Sequence, residues 1–63
     1  VKKLCVVEIE DTGVLLDGGN EMSLGDAMYM AKLYTDKNPS TRVRILQGAE
    51  RKPVQKWRDG HRL

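Results

Sequence analysis

The chain has 63 residues and 7.1 kDa, with 11 Lys and Arg against 9 Asp and Glu, 40% hydrophobic residues and 5% aromatics. One domain is the maximum at this length, and because so short a chain buries only about 60% of the surface its unfolded form exposes, a catalytic pocket of ordinary size would consume most of the core. The charged and apolar fractions together suit a globular chain rather than a disordered one. The longest apolar run, Leu4 to Val7, is too short for a bilayer span or a signal-peptide core, so a soluble, cytoplasmic protein is expected.

Residues 3 to 10 (Lys-Leu-Cys-Val-Val-Glu-Ile-Glu) are rich in β-branched residues and alternate toward their end, which predicts a strand. Cys5, Val7 and Ile9 form one apolar face. The other begins apolar with Leu4 and Val6 and ends acidic with Glu8 and Glu10. Apolar character on both faces predicts a central strand. Cys5 is the sole cysteine, so no intrachain disulfide supports the small core, and oligomerisation or docking on a partner is the usual substitute.

Asp11-Thr12-Gly13 is a turn signal, with Gly13 suited to positive φ. Val14 to Asp17 then reads as the returning strand of a hairpin. A three-residue loop pairs Ile9 with Leu15 and a two-residue loop pairs it with Leu16, and both registers stay open because both residues are Leu. Asp17-Gly18-Gly19-Asn20 breaks that strand. Ser23 reads as a helix N-cap, with Asp26 three residues on and Met22 placed as a staple. The helix runs from Leu24 to about Lys37. Asn38-Pro39 ends it, with Asn38 suited to a left-handed C-terminal residue.

On a helical wheel Leu24, Ala27, Met28, Ala31, Tyr34 and Thr35 gather on one side, with Met30 at the margin. Tyr29 and Leu33, four apart, point away from that stripe and are candidates for an apolar contact. Thr41 to Gln47 is the next strand, with Val43 and Ile45 on one face and Arg42, Arg44 and Leu46 on the other. The simplest fold is α+β: a hairpin–helix–strand (ββαβ) core over residues 1–47, an antiparallel sheet in order 2-1-3, and a right-handed crossover that sets the helix on one face. Glu8 and Glu10 then lie beside Arg42 and Arg44, as cross-strand ion pairs require. The apolar trio Leu4, Val6 and Leu46 on the open face needs a cover, either the C-terminal segment or another molecule.

Residues 48–63 continue the same single domain as a basic segment, read as a short fourth strand over Val54 to Arg58, as a tiny hairpin turning at Asp59-Gly60, or as a basic tail. Pro53 suits a strand start or an edge. Charge is divided along the chain: residues 1–40 carry four bases and seven acids, and residues 41–63 carry seven bases and two acids. Such polarity suits a basic surface for an acidic partner, or else two halves that neutralise each other across the fold.

Recognised chemical motifs are missing. Cys5 and His61 are the only thiol and imidazole and have no ligand spacing, and Asp17, Asn20 and Glu21 lack the alternating pattern of a calcium loop. No metal site or cofactor is expected. Cys5 on a buried strand face reads as a small core hydrophobe rather than a nucleophile. Gly18-Gly19 before the helix has neither P-loop nor dinucleotide-binding spacing.

The strongest constellation is Arg42, Arg44, Arg51, Lys52, Lys56, Arg58 and Arg62 with Trp57 interleaved. It supports two function classes. One is a non-catalytic protein-interaction module, an inhibitor or adaptor acting through the sheet face and the basic segment, with self-association as one form. The other is a nucleic-acid-binding module in which the cations meet phosphates and Trp57 stacks on a base. In size and hairpin–helix–strand order the chain resembles small accessory and inhibitor proteins of the kind phages encode, a likeness of scale that carries no functional residue. A membrane partner, a small-molecule substrate and an enzymatic activity are not expected.

Overall fold

A computed structural model describes residues 3–63. It is a small α+β fold with one helix and a four-stranded antiparallel sheet: β1 (Cys5–Ile9), α1 (Leu24–Lys37), β2 (Arg42–Gln47), β3 (Lys52–Arg58) and β4 (His61–Arg62), with a short 3-10 turn at Leu16–Gly19. Among the described residues, no helix is long and apolar enough to cross a membrane.

The sheet order is β1-β2-β3-β4, which corrects the expected 2-1-3 order at one element. Val14 to Asp17 does not form a strand. The turn after β1 takes four residues, closed by the Ile9 amide donating to the Val14 carbonyl at 2.8 Å and the Gly13 amide donating to Ile9 at 2.8 Å. Glu8 faces Leu15 in an isolated bridge, so neither expected hairpin register occurs. Asp17 and Gly18 then adopt positive φ, 53° and 63°, and the chain leaves the ladder before a strand can form. β1 is therefore a terminal strand of the sheet and not a central one. A second bridge, Cys5 with Met22, partly covers its outer edge.

The helix has the expected bounds. The Ser23 hydroxyl accepts from the Asp26 amide at 3.2 Å, satisfying one of the free donors of the first turn. At the other end Asn38 is not left-handed; its φ is −130°. It caps by donation instead: its side-chain amide and its backbone N–H both reach the Tyr34 carbonyl, each at 3.0 Å.

The odd residues of β1 and β2 lie under α1. Cys5, Val7, Val43 and Ile45 join Ala27, Ala31 and Trp57 in one buried cluster. The two alanines sit one turn apart and allow the helix axis close approach to the sheet.

The core does not close at residue 47. β3 pairs with β2 through Val43–Trp57, which puts the tryptophan ring beneath the helix with 8% of its surface exposed. A bulge between Ile45 and Leu46 leaves Val54 without a register partner and sets Pro53 opposite Leu46. β4 flanks only Trp57 and Arg58, so Lys52 to Gln55 are an edge, where a residue lacking an N–H is tolerated.

The β3–β4 turn is Asp59-Gly60, with φ of 53° and 74°, the two positive values that a type I′ hairpin turn requires. This turn docks on the helix. The Gly60 amide donates to the Thr35 hydroxyl at 2.9 Å, and that hydroxyl donates to the Ala31 carbonyl at 2.7 Å. Thr35 and Gly60 are both buried. A Cβ at Gly60 would overlap the Asp36 carboxylate.

Thr35→Val preserves shape but leaves the Gly60 N–H buried without a partner. It is expected to lower unfolding free energy by about 1–3 kcal/mol in urea titrations followed by circular dichroism. Gly60→Ala meets both the overlap and the left-handed φ and is expected to cost at least about 1 kcal/mol.

Candidate functional site

The C-terminal segment extends the sheet and does not fold over its open face, and the expectation that Leu4, Val6 and Leu46 need a cover is corrected, since only Leu4 of the three is exposed. Val6 and Leu46 are register partners and are only 2% and 7% exposed. The solvent-facing apolar atoms of this strip belong mainly to Leu4, which is exposed.

Beside the strip lies a block of cations. Directly opposite residues of antiparallel strands share a face, and Val43, Ile45 and Trp57 take the helix side. Arg42, Arg44, Lys56 and Arg58 therefore stand together on the other side. The register sets Arg42 against Arg58 and Arg44 against Lys56. His61 pairs with Arg58 and adds an imidazole to the same face, a neighbour that sequence reading missed because it needs the tight hairpin.

Only one of these cations has a carboxylate partner among the described residues. Glu8, across β1–β2, accepts from both Nε (3.0 Å) and the guanidinium terminus of Arg44. The expected second ion pair, Glu10 with Arg42, does not form among the described residues; the two are joined only by a backbone hydrogen bond, the Glu10 amide donating to the Arg42 carbonyl at 3.0 Å. The Glu10 Oε2 atom is buried with no hydrogen bond.

The other basic residues disperse. Arg51 is in the β2–β3 turn with φ of 54°. Lys52 pairs with Glu50 at 3.2 Å. Arg62 faces Trp57 and so lies on the helix side. The Trp57 indole N–H donates to the Gln55 side chain at 3.0 Å, and its ring lies within the core cluster. A ring so placed has no free face on which a base could stack.

Tyr29 and Leu33 occupy a separate place. They are 67% and 41% exposed and border an open groove of about 560 Å³ between α1 and the 3-10 turn, with Met22, Met30, Asp26 and Lys37 among its lining.

The sole thiol and the sole imidazole are not brought together. Cys5 is buried on β1, its sulfur 3.8 Å from the Gln47 amide nitrogen, while His61 is on β4 at the opposite edge of the sheet. No group of three or more His, Cys, Asp or Glu gathers among the described residues. Ser23 is engaged in its own helix cap. The chain matches no protein-family model, no curated protein and no solved structure.

The indole environment is directly measurable. Trp57 fluorescence is expected to be blue-shifted and weakly quenched by acrylamide in the folded state. Trp57→Ala should cost about 3–5 kcal/mol, enough to unfold a domain of this size.

Proposed function

We propose that this chain is a non-catalytic interaction module, an inhibitor or adaptor, that docks an acidic surface of a partner protein on the open face of its sheet. The observation that carries the reading is the cross-strand pairing of like charges, Arg42 with Arg58 and Arg44 with Lys56. Cβ atoms directly opposite on neighbouring strands are about 4.5–5.5 Å apart, and like charges there are destabilising. Glu8 offsets Arg44 alone, while Arg42, Lys56 and Arg58 are exposed and have no ion-pair partner among the described residues. An arrangement that costs stability in the free chain is rewarded when carboxylates are set against it.

The chemistry beside the cations favours a protein over a nucleic acid. Leu4 supplies exposed apolar surface, and the face carries no aromatic ring, since Trp57 lies on the other side of the sheet. The cations also steer association with an acidic partner, an effect that salt screens.

Stability and binding should move in opposite directions in one variant. Arg58→Glu places an acid against Arg42 and is expected to stabilise the fold by about 0.2–1 kcal/mol. The same change, combined with Lys56→Glu, should abolish binding to a fluorescein-labelled poly-glutamate peptide measured by anisotropy at low salt. A short DNA duplex serves as the comparison probe. Binding to the duplex with none to the peptide would turn the reading to phosphate contact without stacking. Binding to neither would remove the basic face as a docking surface.

A further inference from the structure

The exposed side of α1 is complementary to itself in an antiparallel arrangement. Asp26, Met30, Leu33 and Lys37 follow a 4-3-4 spacing, which at about 100° per residue confines them to one narrow stripe and is the spacing of a helix-pairing seam. The stripe is apolar at its middle, with Leu33 exposed and Met30 half-buried against the core, and oppositely charged at its ends. Asp26 is in the first turn and Lys37 in the last. Neither makes an ion pair among the described residues, whereas the neighbouring Lys32 and Asp36 pair with each other at 3.3 Å.

Consider a second helix laid antiparallel on this one, with a two-fold axis passing between residues 31 and 32. Asp26 meets Lys37 of the second copy, and Met30 meets its Leu33. Every contact occurs twice, as an isologous interface demands. Both charge contacts are attractive, and each acid stands at a helix N-terminus against a base at a C-terminus, the arrangement that helix dipoles favour.

The groove supplies the concavity. Its lining includes Met22, Asp26, Tyr29, Met30, Leu33 and Lys37, so the apolar middle of the second copy's stripe has a recess to enter. A 63-residue chain with a single cysteine has no disulfide to support its small core, and self-association is a recognised substitute.

We infer that α1 mediates a two-fold homodimer, with a second copy of this chain as the occupant of the groove and Asp26–Lys37 pairs at both ends of the seam. The surface lies on the helix side and is separate from the basic sheet face, so this dimer does not depend on what that face binds. The two could operate together: a dimer would carry two basic faces.

The test is a charge exchange read by sedimentation equilibrium on the full chain. The native chain is expected to dimerise, to about twice 7.1 kDa. Asp26→Lys and Lys37→Asp each turn both end contacts repulsive and should weaken dimerisation by at least about tenfold. An equimolar mixture of the two variants recovers two attractive contacts and should associate as a heterodimer, a rescue that a general loss of fold could not produce. Leu33→Glu, at an exposed position, should yield a monomer with unchanged helical circular dichroism, and it tests the seam even if Asp26→Lys weakens the first turn of the helix. A native chain that stays monomeric at all concentrations, a mixture that fails to associate, or a Leu33→Glu chain that still dimerises would each overturn the inference.

Discussion

The hydrogen bond from the Gly60 amide to the Thr35 hydroxyl fixes the placement of the segment that follows β2. It is a buried link between the helix and the β3–β4 turn, and Thr35 is held in turn by the Ala31 carbonyl. With the turn fixed there, Trp57 must face the helix, and its strand neighbours Lys56 and Arg58 must face away. Strand periodicity makes this an all-or-none matter, because a slip of one residue would send every side chain of β3 to the opposite face. A single neutral hydrogen bond is modest in energy, but leaving either partner buried and unpaired is expensive. The latch therefore acts chiefly by penalising alternatives.

Much of this architecture was legible in the chain. The helix bounds, the Ser23 cap and the face containing Ala27, Ala31 and Thr35 follow from local periodicity and capping chemistry. The alternation of β1 and β2 correctly sorted Val43 and Ile45 to the core side and Arg42 and Arg44 to the other. Failures came where a non-local choice decided. Val14 to Asp17 has a strand-like composition, but Asp17 in a left-handed conformation ends the ladder, and an aspartate at that φ leaves little local trace. The strand over Val54 to Arg58 and the hairpin at Asp59-Gly60 were among the readings of the basic segment and both occur, but the stretch is mostly charged or polar, and its place beside β2 depends on one buried side chain, Trp57. Thr35 belonged to the predicted apolar stripe, but its role with Gly60 required knowing which turn arrives beside it. The basic face was only half legible: its residues could be listed, but their pairing into like-charge rows needs the β2–β3 register.

The electrostatic division along the chain becomes a division in space. Of the ion pairs among the described residues, Lys32–Asp36 lies wholly in the acidic half and Lys52–Glu50 wholly in the basic half; Arg44–Glu8 alone joins the two. Neutralisation between the halves is thus confined to one contact at the β1–β2 seam. Arg42, Lys56 and Arg58 stay concentrated on β2 and β3. Field from such a block extends about a Debye length into solvent, roughly 8 Å at physiological ionic strength, so it orients an approaching anionic surface before contact.

The unpaired stretch of β3 bears on behaviour at high concentration. Exposed strand edges are templates for uncontrolled cross-chain ladders, the route by which small sheets precipitate or form fibrils. Here that edge contains Pro53, which lacks a donor, a bulge at Val54 that interrupts regular spacing, and a lysine at its start, Lys52. Each is a known deterrent to strand addition. A newly synthesised copy meeting another in a crowded compartment would find this border a poor place to nucleate an aggregate, which gives a sheet with so little cover a means of staying dispersed.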